Sequence, residues 1–289
     1  MDIRWLLHRY ARLAGRPASV LVALLALAWL LLVLLSGCRP PWSRESGGPR
    51  SGPPAPGQVN RSLTVGAAAD LHFAFTEIGQ LYEQKTGHKV TFSFGSTGNL
   101  SRQIENGAPL DVLAAADAQY VKNLDAKGLM VSDSVQVYAL GKLVIASNKA
   151  SGIQVTELQG LLSPQVKKVA IANPAHAPYG AAAREALQNA GLWDKLQSKL
   201  VMGEDIRQTL QFVQSGNTDA GLVALSISRV PEVSSVPVDE RYYHPLRQSV
   251  SVVKGTPLLD QARQFVALVM SPEGQQVMQK YGYPPLETR

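Results

Sequence analysis

A single cysteine, Cys38, stands among the 289 residues, and none follows it. The rest of the chain therefore has no disulfide and no thiolate metal site, and it is indifferent to redox compartment. Catalytic signatures are missing too. No Gly-x-Ser-x-Gly elbow, no Gly-x4-Gly-Lys-Ser/Thr loop and no His-Glu-x-x-His pair occurs. The later histidines, His72, His88, His176 and His244, stand at no metal-ligand spacing from one another. With no nucleophile set beside a base, the pattern points away from an enzyme, and no cofactor is expected. Basic runs are also absent from the folded part. The net charge is +6, yet residues 1–38 hold four Arg against one Asp, and residues 39–60 three Arg against one Glu. Residues 61–289 balance 21 Lys and Arg against 20 Asp and Glu. A near-neutral domain has little to offer a phosphate backbone, which excludes nucleic acid as the partner.

What the amino terminus does have is a basic region, Arg4, His8, Arg9, Arg12 and Arg16, followed by an apolar run over residues 18–35. The run ends Leu35-Ser36-Gly37-Cys38. Small residues directly before a lone cysteine resemble the lipobox of bacterial lipoproteins, which implies cleavage before Cys38 and a lipid on its thiol. Residues 1–38 are thus expected to be a lipoprotein signal peptide. About eighteen apolar residues also suffice to span a bilayer, so a retained signal anchor is the alternative. Either arrangement places the remainder outside the cytoplasm, tethered to a membrane. Residues 39–60 are rich in Pro, Gly and Ser and read as a semi-extended linker.

From residue 62 short apolar runs alternate with amphipathic segments. Leu63-Thr64-Val65-Gly66-Ala67 predicts a strand, and Ala68-Ala69-Asp70-Leu71 its turn into a helix. Leu71, Phe75, Ile78 and Tyr82 share one face of that helix, and Gly87 stops it. Residues 90–94 and 111–115 give two more strands, followed by helices over 100–106 and from Asp117 to about residue 127. Three such β-α units imply a parallel sheet with right-handed crossovers. An extended run, 135–147, suits a crossing to a second lobe. That lobe is predicted to hold strands 168–172 and 220–224 and helices 180–190 and 206–214, the last capped by Asp205. The run 249–253 carries the chain back, and helices 257–270 and 272–281 finish the first lobe. The expected division is 61–138 with 250–289 as one lobe and 139–249 as the other.

The stretch Phe94-Gly95-Ser96-Thr97-Gly98-Asn99-Leu100 is the centre of this plan. A strand, a tight turn and a helix start leave free N–H groups and two hydroxyls at the positive end of a helix dipole, a neutral receptor for an anion. Three further junctions have the same form: Ala69-Asp70-Leu71, Pro178-Tyr179-Gly180 and Asp205-Ile206-Arg207. Open α/β sheets bind ligands where such junctions gather, outside the carboxyl ends of their strands. Two lobes with facing helix N-termini would enclose a small anion without a countercharge.

These junctions, together with Arg102-Gln103-Ile104-Glu105-Asn106-Gly107-Ala108-Pro109, Asp111-Val112, Ala116-Asp117, Asn173-Pro174, Glu204-Asp205-Ile206-Arg207 and Lys280-Tyr281-Gly282, resemble the periplasmic molybdate-binding proteins of ABC importers. The resemblance spans about residues 63–283. It implies an α/β fold of the two-lobed, type II solute-binding class, each lobe a mostly parallel sheet flanked by helices and joined by two crossover strands. It implies closure on a tetrahedral oxyanion, molybdate or tungstate first, and delivery to an ABC permease by a protein acting as a monomer. It also implies a set of ligand-binding positions: Asp70, Ser96, Thr97, Tyr179 through its N–H, and Ile206 through its N–H. Two positions depart from the family pattern. Asp70 stands where many members have Ser, and Ala224 where many have a supporting Tyr. A carboxylate at residue 70 would repel a dianion, so Asp70 is expected to turn back and cap its own helix.

Rival readings stay within binding. Sulfate or phosphate would suit the same kind of cleft. Ferric iron is suggested by Tyr242-Tyr243, for which aromatic packing at the lobe surface is the simpler account. A sensor module that signals to a receptor would use the same architecture.

Overall fold

The computed structural model describes residues 61–285. The leader, Cys38 and the linker inferred from the sequence lie outside the described residues, as do residues 286–289.

Two five-stranded sheets form the frame. The first contains β1 (Leu63–Ala68), β2 (Val90–Gly95), β3 (Val112–Ala115), β4 (Gln136–Gly141) and β10 (Leu246–Val252), in the order β2-β1-β3-β10-β4. The second contains β5 (Leu143–Asn148), β6 (Val169–Ala172), β7 (Leu200–Gly203), β8 (Ala220–Ala224) and β9 (Val233–Pro237), in the order β7-β6-β8-β5-β9. In each sheet three strands pair in parallel, and one strand, β10 or β5, runs against its two neighbours. Four of five strands in each sheet thus share a direction. The reversed strand is in each case the one by which the chain crosses into that lobe from the other.

The helices follow from the apolar periodicity. α1 (His72–Thr86) turns Ala74, Phe75, Ile78 and Tyr82 inward and ends at Gly87, whose left-handed φ of 72° suits a residue without a side chain. α2 (Thr97–Glu105) and α3 (Ala118–Ala126) cover the other face of the first sheet. Leu100 and Ile104 of α2 meet Leu113, Val121 and Leu124 in a small separate core. Asp117 caps α3 by accepting the Gln119 N–H at 2.8 Å. In the second lobe α4 (Pro178–Asn189), the short α5 (Trp193–Leu196), α6 (Ile206–Gln214) and the short α7 (Leu225–Ser228) surround the sheet. α8 (Leu259–Met270) and α9 (Pro272–Lys280) return to the first lobe. Phe265 of α8 is fully buried among Phe75, Tyr82 and Phe92, an edge-on aromatic cluster at the centre of that lobe.

Only Lys142 separates β4 from β5, so the first crossover is almost one continuous strand. The second crossover, 238–245, is laced to it: the Leu143 N–H donates to the Tyr243 hydroxyl at 3.1 Å, and the Val238 N–H to the Leu143 carbonyl at 3.0 Å. The ladder of β4 with β10 ends at the pair Gly141 and Leu246, beside the two crossovers.

Candidate functional site

The four strand–helix junctions meet. A cavity of about 200 Å³ of atom-free space is lined by Ala68, Ala69 and Asp70 after β1, by Gly95, Ser96 and Thr97 after β2, and by Ala116 after β3. Ala177, Pro178 and Tyr179 at the start of α4, and Asp205 and Ile206 at the start of α6, complete the wall from the second lobe. All five positions proposed from the sequence, Asp70, Ser96, Thr97, Tyr179 and Ile206, therefore face one space. Little more room than one water molecule needs is left inside it, so a sugar or peptide does not fit in this arrangement. No Lys, Arg or His lines it.

Helix starts explain its polarity. Thr97 and Ile206 are the first residues of α2 and α6, and Tyr179 follows Pro178 at the start of α4. Among the described residues no acceptor takes the N–H of Thr97, Tyr179 or Ile206. The first N–H groups of a helix have no intrahelical partner, so three donors are left for a ligand, two of them from the second lobe. The Thr97 side chain adds a fourth. Its Oγ1 accepts the Ala116 N–H at 3.0 Å, which leaves the hydroxyl proton to be donated elsewhere. Asp205 is a true cap, its Oδ1 accepting from the N–H groups of Arg207 and Gln208 at 2.8 and 2.9 Å. That carboxylate is thereby spent on α6.

Across the cleft the lobes touch directly. The Gly98 N–H donates to the His176 carbonyl at 2.9 Å, and Ser96 Oγ lies 2.9 Å from His176 Nδ1. The Asn99 amide bonds Glu204. Ser96 is thus engaged with the opposing lobe, as donor or acceptor according to the tautomer of the ring. These contacts describe a closed arrangement.

Asp70 corrects the sequence reading. It does not cap a helix. A 3-10 turn, Ala69–Leu71, intervenes before α1, and Ala68 occupies the cap position with no side-chain bond. Asp70 sits inside that turn, 1% exposed. Its Oδ2 accepts from the Tyr283 hydroxyl at 2.7 Å and from the Gln248 amide. Its carbonyl accepts from Ser226 Oγ at 2.9 Å and from Tyr283 at 3.1 Å. Gln248 is itself held by the Tyr138 hydroxyl at 2.9 Å and also reaches the Tyr179 hydroxyl at 3.2 Å. Oδ1 alone has no partner among the described residues. Burial drives the carboxyl above the usual carboxylate range, and the bonds from Tyr283 and Gln248, with the Tyr179 hydroxyl nearby, offset only part of that rise.

Tyr138, Gln248 and Tyr283 were not legible as site residues. None of them stands at a helix start, and Gln248 and Tyr283 lie far from Asp70 in the chain. Tyr179, expected to act through its N–H, also brings its buried hydroxyl to this network. Gly141 makes room for it, since a Cβ there would stand 2.3 Å from that hydroxyl. Ala224, where a supporting Tyr was looked for, ends β8 and lies outside the cavity. Tyr243 is committed to packing and to the Leu143 N–H, away from the cavity, which leaves the tyrosine pair no shared ligand position.

Comparison with known proteins adds four findings. Residues 63–284 match a family described as bacterial extracellular solute-binding protein. The molybdate-binding protein ModA of Rhodobacter capsulatus is 37% identical over 232 residues, covering 80% of this chain and 90% of its own. YvgL of Bacillus subtilis (strain 168), a candidate ABC transporter substrate-binding lipoprotein, is 32% identical over 77% of this chain and 86% of its own. Among solved structures, the periplasmic molybdate-binding protein of Azotobacter vinelandii superposes with a TM-score of 0.72 at 32% identity, covering 77% of this chain and 99% of that one.

Proposed function

The chain belongs to the bacterial extracellular solute-binding proteins, and on that footing we propose that it captures molybdate or tungstate between its lobes and delivers it to an ABC permease. The observation that carries this reading is the convergence of three unpaired helix N–H groups, from both lobes, on one small cavity without a cationic side chain. Fixed dipoles of this kind hold an anion without the desolvation cost of a buried countercharge. The identity of the anion is supported by the relatives, two of which bear molybdate in their names. A role in transport is supported by YvgL, whose name includes an ABC transporter.

The proposed lobes are those expected from the sequence, 61–138 with 250–289 and 139–249, a division supported by the nearby last pair of the first sheet, Gly141 and Leu246. Lipid attachment at Cys38 is supported by the Leu-Ser-Gly-Cys sequence and by the lipoprotein character given to YvgL. Extracytoplasmic location, membrane tethering and action as a monomer complete the proposal.

Calorimetric titration with molybdate, tungstate, sulfate, phosphate and ferric citrate tests it. Molybdate and tungstate should bind most tightly, and ferric citrate should give no heat of binding. Thr97→Val in the same titration should weaken molybdate at least about tenfold, since a hydrogen bond to a charged group contributes roughly 1.5–3 kcal/mol. It should also destabilise the domain by about 1–3 kcal/mol, because the buried Ala116 N–H loses its acceptor. Tight binding of ferric citrate alone would overturn the oxyanion reading.

A further inference from the structure

Asp70 presents a difficulty that the proposed function must meet. Two donors crowd Oδ2, from Tyr283 and Gln248, while Oδ1 is buried, unpartnered and part of a residue that lines the anion cavity. An ionised carboxylate there would face a dianion across a few ångströms of dry protein. Resting on the oxyanion reading, we propose that Asp70 binds the anion as a neutral carboxylic acid, with the proton on Oδ1 donated to a ligand oxygen, so that each anion captured takes up one proton from solvent.

The asymmetry of the carboxyl assigns the proton. Oδ2 already accepts two hydrogen bonds and is fixed as the acceptor; Oδ1 has the free position. As a hydroxyl it becomes a further donor beside those of Thr97, Tyr179 and Ile206, and the orphaned oxygen gains a partner on ligand binding. The groups that face Asp70 are neutral. Tyr138 on β4, Tyr179 on α4 and Tyr283 beyond α9 are buried phenols whose pKa values burial raises well above the ordinary one, so all three keep their protons. Gln248 on β10 and Ser226 on α7 do not titrate. Asp205, the other carboxylate on the cavity wall, is held by the N–H groups of its own helix. No cation among the described residues stabilises ionised Asp70, which fits the raised carboxyl pKa.

The sign of the pH dependence follows. Opening the cleft removes the second lobe from above Asp70 and lets water in, which lowers its pKa towards the ordinary carboxylate range. In the closed, loaded cleft it is protonated. Between the two pKa values binding consumes a proton, so affinity falls as pH rises, by up to about tenfold per unit. A site built only from N–H groups would show no such slope.

The test is calorimetry of molybdate binding in pairs of buffers of different ionisation enthalpy, at steps from pH 5 to 9, with the dissociation constant followed over the same range. Wild type should take up close to one proton per anion and weaken steadily with pH. Asp70→Asn mimics the neutral acid, its carbonyl accepting from Tyr283 and Gln248 and its amide donating into the cavity. It should bind about as tightly as wild type at pH 6, more tightly at pH 9, and take up no proton. Asp70→Ser, an independent variant with a short donor, should also lose the proton uptake. Proton uptake that persists in both variants would put the proton on the anion and overturn the proposal. Asp70→Asn that binds far more weakly than wild type at every pH would overturn it too, making Asp70 an ionised acceptor. Molybdate binding by wild type without proton exchange would overturn it while leaving the oxyanion reading intact. Absence of molybdate binding by wild type and both variants would remove both.

Discussion

Gly98→Ala should reduce molybdate affinity by roughly 10²- to 10⁴-fold while the domain remains folded. A Cβ at residue 98 would stand 2.7 Å from the His176 carbonyl oxygen and 3.0 Å from its Cα, both backbone atoms of the opposing lobe. Backbone at that distance has no flexible end to move aside, so the lobes must stay apart. The anion then keeps the donors of the first lobe and loses the Tyr179 and Ile206 N–H groups. Two hydrogen bonds to a charged group, at roughly 1.5–3 kcal/mol each, account for the stated range. Within its own lobe the change is mild, since Gly98 lies in α2 and Ala is the better helix former. Calorimetry measures the affinity, and small-angle scattering should show that molybdate no longer reduces the radius of gyration. Wild-type affinity in this variant would mean that closure at Gly98 and His176 contributes nothing to capture.

Phe265→Ala should have the opposite profile, with stability lost and affinity kept. The ring is fully buried, with centroids 5.5 Å from Tyr82 and 5.9 Å from Phe75, and no residue of that cluster lines the cavity. Emptying such a site costs roughly 3–5 kcal/mol through lost burial and the cavity left behind. Against a total stability of about 5–15 kcal/mol, that is a large share. Urea denaturation should show a lower midpoint with an unchanged slope. Molybdate titrated at a temperature where the variant is still folded should bind as to wild type. A loss below about 1 kcal/mol would contradict the packing described for this lobe.

Much of the site was legible because its chemistry is local. Thr97, Tyr179 and Ile206 stand at helix starts, and a helix start exposes N–H groups whatever the rest of the chain does. Asp117 and Asp205 were legible as caps for the same reason. Asp70 has the same neighbours in sequence and a different fate. The 3-10 turn places Ala68 at the cap position and carries Asp70 into the turn, towards β10 and residue 283. What holds it is long-range: Gln248 is 178 residues away and Tyr283 is 213. No periodicity within one element reports on such a partner. β7 and β9 escaped notice because they are short edge strands of the second sheet. Met202 of β7 faces solvent, and β9, Val-Ser-Ser-Val-Pro, looks like a loop until β5 pairs with it. The two reversed strands show the same limit, for a run of apolar residues fixes that a strand is buried without fixing its direction.

The central claim is that one oxyanion sits between the helix N-termini of two lobes. Diffraction from crystals grown with molybdate, with data collected on either side of the molybdenum absorption edge, tests it most directly. The account predicts one strong anomalous peak in the cavity, with ligand oxygens about 2.7–3.1 Å from the nitrogens of Thr97, Tyr179 and Ile206 and from Thr97 Oγ1. An empty cavity in a loaded crystal, or a peak at the protein surface alone, would contradict it.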